Sequence, residues 1–261
     1  MEIELQLDKT IDANATLYFE KSKKARKKIL GIKKAVIAQN KKREKDKPII
    51  KKVSVRKQKW FEKYRWFFTS DGFLVVGGKN AVQNEEIVKK RMKKEDLYFH
   101  AEVYGAPHCF LQVKDDKGRI KVPSEQSKKE AAEFAVTFSK AFEQKLSQAD
   151  AYNVKPEQVS KKAPSGQSMG TGAFMIYGER NWFKNSAVNC AIGYNQKEKI
   201  LMSGPITAIR KKCIRVFELK QGNTEKNKAA KELQKRFKDK GLVFTNSEIL
   251  SLLPNGSFDI V

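Results

Sequence analysis

Arg56, Lys57, Lys59, Lys63 and Arg65 are interleaved with Trp60, Phe61, Trp66 and Phe67. Cations set among large rings suit a nucleic acid: ammonium and guanidinium groups meet phosphates, and ring faces stack on bases. The run continues through Asp71-Gly72 into Phe73-Leu-Val-Val-Gly-Gly78, which predicts a β-hairpin closed by a tight primed turn. A plainer reading stands beside it. Strands alternate faces and only one face can be wet, so most rings, with Trp60, Phe61, Phe67 and Phe68 among them, are expected in a core.

A second group of candidates lies downstream. His100 sits in an alternating stretch at 96–102, Lys161 and Lys162 flank a segment rich in Gly, Ser and Thr at 158–172, and Arg180 and Trp182 follow. Backbone N–H groups and hydroxyls in such a segment can cradle phosphate, although an ordinary glycine-rich connection has the same composition. It lacks the Gly-Lys-Ser/Thr spacing of a Walker loop, so nucleoside triphosphate binding is not expected. Arginine grips phosphate with a planar fork and lysine supplies a mobile charge, whereas His100 and Trp182 also fit structural roles. Ser165, His100 and Glu102 are catalytic residue types without nucleophile–base spacing, so no catalytic residue is assigned. His100, His108 and Cys109 match no common zinc pattern, and neither metal nor cofactor is expected.

The composition favours the same partners. The chain of 261 residues has 54 Lys and Arg against 30 Asp and Glu, a net charge of +24 that concentrates polyanions. Residues 1–60 hold 19 basic and 7 acidic side chains, half of the whole surplus. No run of about 18 apolar residues and no signal-peptide pattern is present, so no membrane partner is expected and the protein is read as cytoplasmic. Three widely spaced cysteines indicate no disulfide framework and are expected to be reduced and mostly buried.

These side chains need elements to hold them. Ile11, Tyr18, Ala25, Ile32 and Gln39 recur every seven residues, with Ala15, Ser22, Ile29 and Val36 between them, which predicts a basic coiled-coil arm over 1–52 that ends near Lys47-Pro48. Its seam is thin and needs a partner helix. A compact domain is expected over 53–205. It begins with the hairpin and continues with a short helix capped by Asn80 over 81–92, strands at 96–102 and 109–114, a turn at 115–118 and a strand at 120–122. One long packing helix follows, opened by Pro123-Ser124, with Phe134, Phe138, Ala141, Phe142 and Leu146 on one stripe. Residues 172–178, 187–193, 199–202 and 213–219 read as strands, and a small α/β extension at 206–261 carries a helix at 224–237. The fold class is α+β with a mainly antiparallel sheet.

Seven segments in order resemble a known family: Lys59-Trp-Phe-Glu-Lys-Tyr-Arg-Trp-Phe67, Gly77-Gly-Lys-Asn-Ala-Val-Gln-Asn-Glu85, Asp96-Leu-Tyr-Phe-His-Ala101, Gly105-Ala-Pro107, Gln158-Val-Ser-Lys161, Ala163-Pro-Ser-Gly166 and Gly172-Ala-Phe-Met-Ile-Tyr-Gly178. They are similar to the NFACT-R domain in the C-terminal part of the NEMF/RqcH ribosome-associated quality control factors, also described as fibronectin-binding proteins. Leu5, Leu7, Asp8, Asn14, Ala15, Tyr18 and Phe19 resemble the returning half of that family's coiled coil, and residues 206–261 look like an extension of archaeal members. The resemblance implies an RNA-binding, non-enzymatic role in translation. Such factors bind large ribosomal subunits carrying stalled peptidyl-tRNA and recruit tRNA, so that the ribosome adds a C-terminal tail to the nascent chain. The partners implied are large-subunit RNA, tRNA, and either the missing N-terminal half of the family architecture or a second copy through the arm. The residues expected at the RNA are Arg56, Lys57, Lys59, Lys63, Arg65, His100, Lys161, Lys162, Arg180 and Trp182. A nucleic-acid-binding adaptor that does not act on the ribosome, or an RNA-processing enzyme, remains the alternative.

Overall fold

The computed structural model describes residues 4–45, 57–114, 119–162 and 169–261, with the side chains of the first helix given to residue 36. The chain divides into two units, 1–57 and 58–261. In the first, α1 (Ile11–Lys45) is one continuous helix of 35 residues. The Asn14 side chain holds the preceding segment against it, accepting from the Gln6 N–H at 2.9 Å and donating to the carbonyls of Gln6 and Thr10. The heptad positions Ile11, Ile29, Ile32 and Val36 are exposed, as are most of the described side chains of the helix. The expected stop at Lys47-Pro48 lies outside the described residues.

The second unit starts with two tight turns over residues 59–64, closed by Glu62 N–H to the Lys59 carbonyl and Tyr64 N–H to the Phe61 carbonyl. Then come β1 (Arg65–Phe68) and β2 (Leu74–Gly77), paired antiparallel with Phe68 opposite Leu74. Their turn is not a primed one. Ser70 and Asp71 keep negative φ, the Gly72 N–H donates to the Thr69 carbonyl at 2.8 Å, and Gly72 takes φ +94°. This is the three-residue loop in which a type I turn is followed by a left-handed glycine. Trp60 is also corrected: it lies in the turns ahead of the strand, off the pleat, and is 40% exposed, while Phe61, Trp66 and Phe67 are buried.

Asn80 caps α2 (Ala81–Glu86), its Oδ1 accepting from the Gln83 N–H at 2.9 Å. The helix widens into a π-turn over Ile87–Arg91, where the Met92 N–H reaches back five residues to the Ile87 carbonyl. β3 (Leu97–Ala101) and β4 (Cys109–Gln112) follow, while the expected strand at 120–122 is a single bridge between Lys114 and Ile120. The expected turn at 115–118 lies outside the described residues. Ser124 caps α3 (Glu125–Thr137), but Ser139 then caps a separate α4 (Lys140–Glu143), so the single long helix is two. The Leu146 end of its stripe is exposed.

β5 (Gln148–Val154), the two-residue strands β6 (Val159–Ser160) and β7 (Met175–Ile176), and β8 (Asn181–Ala187) come next. β9 (Cys190–Asn195), β10 (Ile200–Gly204), α5 (Ile206–Lys212), β11 (Ile214–Gln221), α6 (Lys226–Asp239), α7 (Asn246–Leu252) and β12 (Phe258–Ile260) complete the chain. All strand pairs are antiparallel, so the fold is α+β as expected. A six-stranded sheet runs β1-β2-β4-β3-β5-β8 and a four-stranded sheet runs β10-β9-β11-β12. The segment from residue 206, expected as an extension, supplies two of the four strands of that second sheet.

α3 lies between the sheets. It packs on β3, β4, β5 and β8, while Glu130 reaches Thr207 of α5 and Glu133 reaches Asn189 ahead of β9. Nine of its thirteen residues are buried, which explains its alanines. One core joins both sheets. Phe67 is its pivot: its ring lies 4.7 Å from that of Phe134, and a Cβ on Gly204 would come within 3.0 Å of it. Phe67→Ala is expected to lower unfolding free energy by about 3–5 kcal/mol in a urea titration; a loss below about 1 kcal/mol would mean that the sheets do not depend on this contact.

Candidate nucleic-acid interface

The face of the six-stranded sheet turned away from α3 is built from aromatic rings. Cross-strand register sets His100 of β3 opposite Tyr152 of β5, and Tyr152 opposite Trp182 of β8. Their centroids are 6.1 Å and 5.3 Å apart, the distances of edge-to-face contacts. The row extends the other way through His108, stacked 4.5 Å from His100, to Phe174 at 5.2 Å. Phe174, His108, His100, Tyr152 and Trp182 thus span three strands and two connections.

Both histidines are neutral. The His100 Nδ1–H donates to the Pro107 carbonyl at 3.2 Å, and burial lowers its pKa. The Tyr98 hydroxyl donates to His108 Nδ1 at 2.6 Å; burial, then the neighbouring His100 and Lys161, push His108 down to about 3. Tyr152 and His108 are buried within the row, so its open ring is that of Trp182, with His100 and Phe174 half-buried, and its positive charge comes from the rim. Arg180 lies 4.6 Å from the Tyr152 ring and 5.6 Å from the Trp182 ring, with Nη1 donating to Glu102 at 2.9 Å. Lys184 Nζ is 4.3 Å from the Trp182 ring and pairs with Asp150 at 2.7 Å. Trp182 is 41% exposed.

At the other end, Glu85 gathers three donors: Lys161 Nζ at 2.8 Å, Lys89 Nζ at 2.6 Å and the Gly172 N–H at 2.7 Å. Together they hold its carboxyl down to about 2. Lys161 also sits 4.9 Å from the Phe174 ring and donates to the Gly170 carbonyl. This clamp brings residue 172 against α2 so closely, with φ +77°, that a Cβ there would fall 2.7 Å from Ala81. Only glycine fits. Gln158 Nε2 donates to the Tyr177 and Glu179 carbonyls and fixes β6–β7, while the Tyr177 hydroxyl donates to the Lys162 carbonyl.

The expected residues therefore separate. His100 and Trp182 lie in the ring row, Arg180 at its rim and Lys161 in the clamp, while Lys162 accepts from the Tyr177 hydroxyl through its backbone carbonyl. Lys59 pairs with Glu198, and Lys63 pairs with Glu86 at 2.9 Å, both near β1 at the opposite edge of the sheet. Arg65 turns inward: its guanidinium stacks 4.6 Å from Phe138 and donates to the Leu253 carbonyl, and burial lowers its pKa to about 10. Lys57 is exposed, while Arg56 and Ser165 lie outside the described residues. Cys109 is fully buried in the core beside Phe134, with its Sγ 3.7 Å from the Pro107 carbonyl. Tyr152, Lys184 and Glu85 were missed, because their roles come from register and from contacts between distant segments. Among the described residues no cluster of three metal-ligating side chains occurs and no helix is long and apolar enough to cross a membrane.

Burial of neutral His108 has a pH signature. Its folded pKa lies below the unfolded value, so its contribution to stability is present above about pH 6.5 and falls as pH drops towards 3. Between pH 7.5 and 5 the unfolding free energy is expected to fall by about 2 kcal/mol through this residue, and His108→Gln is expected to flatten that slope in urea titrations; an unchanged slope would mean that His108 is not held neutral.

Residues 63–178 match the family described as NFACT protein RNA binding domain. The archaeal Rqc2 homolog aRqcH of Methanocaldococcus jannaschii is 39% identical over 215 residues, 81% of this chain and 31% of that protein. Ribosome quality control complex subunit NEMF of Homo sapiens is 34% identical over 182 residues, 67% of this chain and 16% of that protein. The chain thus spans less than a third of the length of these relatives. The solved C-terminal part of the fibronectin/fibrinogen-binding protein from Streptococcus suis aligns at 21% identity and a TM-score of 0.39, covering 69% of this chain and 77% of that one. That likeness is too loose to transfer geometry.

Proposed function

The chain belongs to the NFACT RNA-binding domain family found in ribosome quality control proteins, and from that premise we propose that it binds RNA through the ring row and its cationic rim. The observation that carries this reading is the register that lines up His100, Tyr152 and Trp182 across three strands, with Arg180 and Lys184 beside the exposed ring. Neutral rings suit bases and fixed cations suit phosphates, and neither requires a catalytic group. The RNA is that of stalled cytoplasmic translation: large-subunit RNA and tRNA, in the service of nascent-chain tailing that the ribosome itself carries out. The exposed heptad face of α1 supports a helical partner, either a second copy or the N-terminal half of the family architecture.

Filter binding to tRNA and co-sedimentation with isolated large subunits test this. Trp182→Ala is expected to weaken binding by about 1–3 kcal/mol with the salt dependence unchanged. Arg180→Gln with Lys184→Gln is expected to reduce the slope of log K against log salt by about 1.5. If all three changes leave affinity intact while charge reversal at Lys59 and Lys63 abolishes it, the interface lies at the β1 edge instead. Loss of neither, with no ribosome or tRNA bound by the parent protein, overturns the reading.

A further inference from the structure

A cleft of about 480 Å³ opens between the β1–β2 turn, the end of β4 and the β9–β10 turn, at the sheet edge opposite the ring row. Its floor is apolar and aromatic, with Phe61, Phe68, Phe73 and Leu74, and the exposed ring of Trp60 lines it as well. Its charges are unequal: Lys59, Lys114, Lys121, Lys197 and Lys212 line it against Asp71 and Glu198. Both carboxylates are already engaged. Asp71 accepts from the hydroxyls of Ser124 and Ser127, the latter at 2.8 Å, and Glu198 pairs with Lys59. Lys212 Nζ reaches in beside the turn, 3.5 Å from where a Cβ on Gly72 would stand. Lys197 and Lys212 make no ion pair within 4 Å among the described residues.

We propose that this cleft binds a single nucleotide, its base against Trp60 and Phe73 and its phosphate on Lys197 and Lys212. The volume falls in the range of small-molecule sites, and few ligands combine an apolar plane with a dianionic end. A bare phosphate would leave the aromatic floor unfilled; an acidic peptide offers charge without the plane. Burial lowers the Lys212 pKa, with Lys211 and Lys197 adding to the shift and Asp71 and Glu130 opposing it; a bound phosphate would relieve that cost. The proposal rests on the RNA-binding reading only for the source of the nucleotide, which is either an unpaired residue of the bound RNA or a free mononucleotide.

The test is a fluorescence titration of the Trp182→Phe protein, whose remaining tryptophans are Trp60 in the cleft and buried Trp66. Adenosine monophosphate is expected to quench Trp60 saturably, with adenosine and inorganic phosphate each weaker. Lys197→Met with Lys212→Met is expected to weaken binding about tenfold or more, at a melting temperature that reports an intact fold. Should Lys212→Met disturb α5, the exposed-turn variant Lys197→Glu alone is expected to weaken the monophosphate and leave adenosine unaffected. A single-stranded oligoadenylate that binds more tightly than the monophosphate identifies RNA as the source, and the reverse order identifies the free nucleotide. No saturable quench up to about 10 mM, or equal quench in the lysine variants, overturns the site. tRNA and subunit binding are measured separately, so their failure alongside a normal quench would remove the RNA reading and leave the cleft standing.

Discussion

A strand sends consecutive side chains to opposite faces, and everything in this domain depends on how β3 and β5 use that rule. Phe99, Ala101 and Ala151 join the main core under α3, while Tyr98, His100, Tyr152 and Val154 take the other face. A slip of one residue would drive the imidazole and phenol groups into the main core and present small apolar groups in their place. The burial of α3 between two sheets fixes the register, and the register lines up the rings. Stability and the alignment of the rings are therefore set by one constraint.

The sheets are also joined by a buried carboxylate held mainly by neutral hydrogen-bond donors. Glu130, fully buried, accepts from the Ser70 N–H at 2.8 Å, the Ser70 hydroxyl, the Thr207 hydroxyl at 2.8 Å and the Gln126 amide at 3.1 Å. Removing a carboxylate from water is costly, and donors from three separate elements are needed to offset it. They tie the β1–β2 turn to α3 and α5. The positions of Asp71 and Lys212 in the cleft follow from that joint.

Where local chemistry decides, the sequence was readable. Asp71-Gly72 marked the hairpin, Asn80 and Ser124 marked helix starts, and the heptads marked α1. β5 and β8 escaped because Gln148-Ala-Asp-Ala-Tyr-Asn-Val154 and Asn181-Trp-Phe-Lys-Asn-Ser-Ala187 carry polar residues on both faces, as partly wet strands do. The split between α3 and α4 escaped because an apolar stripe ran on through it, and only the Ser139 hydroxyl caps the second helix. His100, Lys161, Arg180 and Trp182 could be picked by type. Their alignment with Tyr152 depends on pairing between segments some 30 to 50 residues apart, which no local pattern encodes. Arg65 misled because its neighbours in sequence are basic and aromatic while its neighbours in space are Phe138 and Leu253.

β8 ends the six-stranded sheet, and an open sheet edge invites a strand from another molecule. Its pairing with β5 shifts register between Ala149 and Ala151, where Asp150 accepts from both the Lys184 ammonium and the Asn185 N–H, and Asn185 takes a φ of +52°. A bulge, an outward lysine and one left-handed residue make poor company for a straight foreign strand. The bulge and the lysine that border the ring row thus also disfavour edge-to-edge pairing along β8.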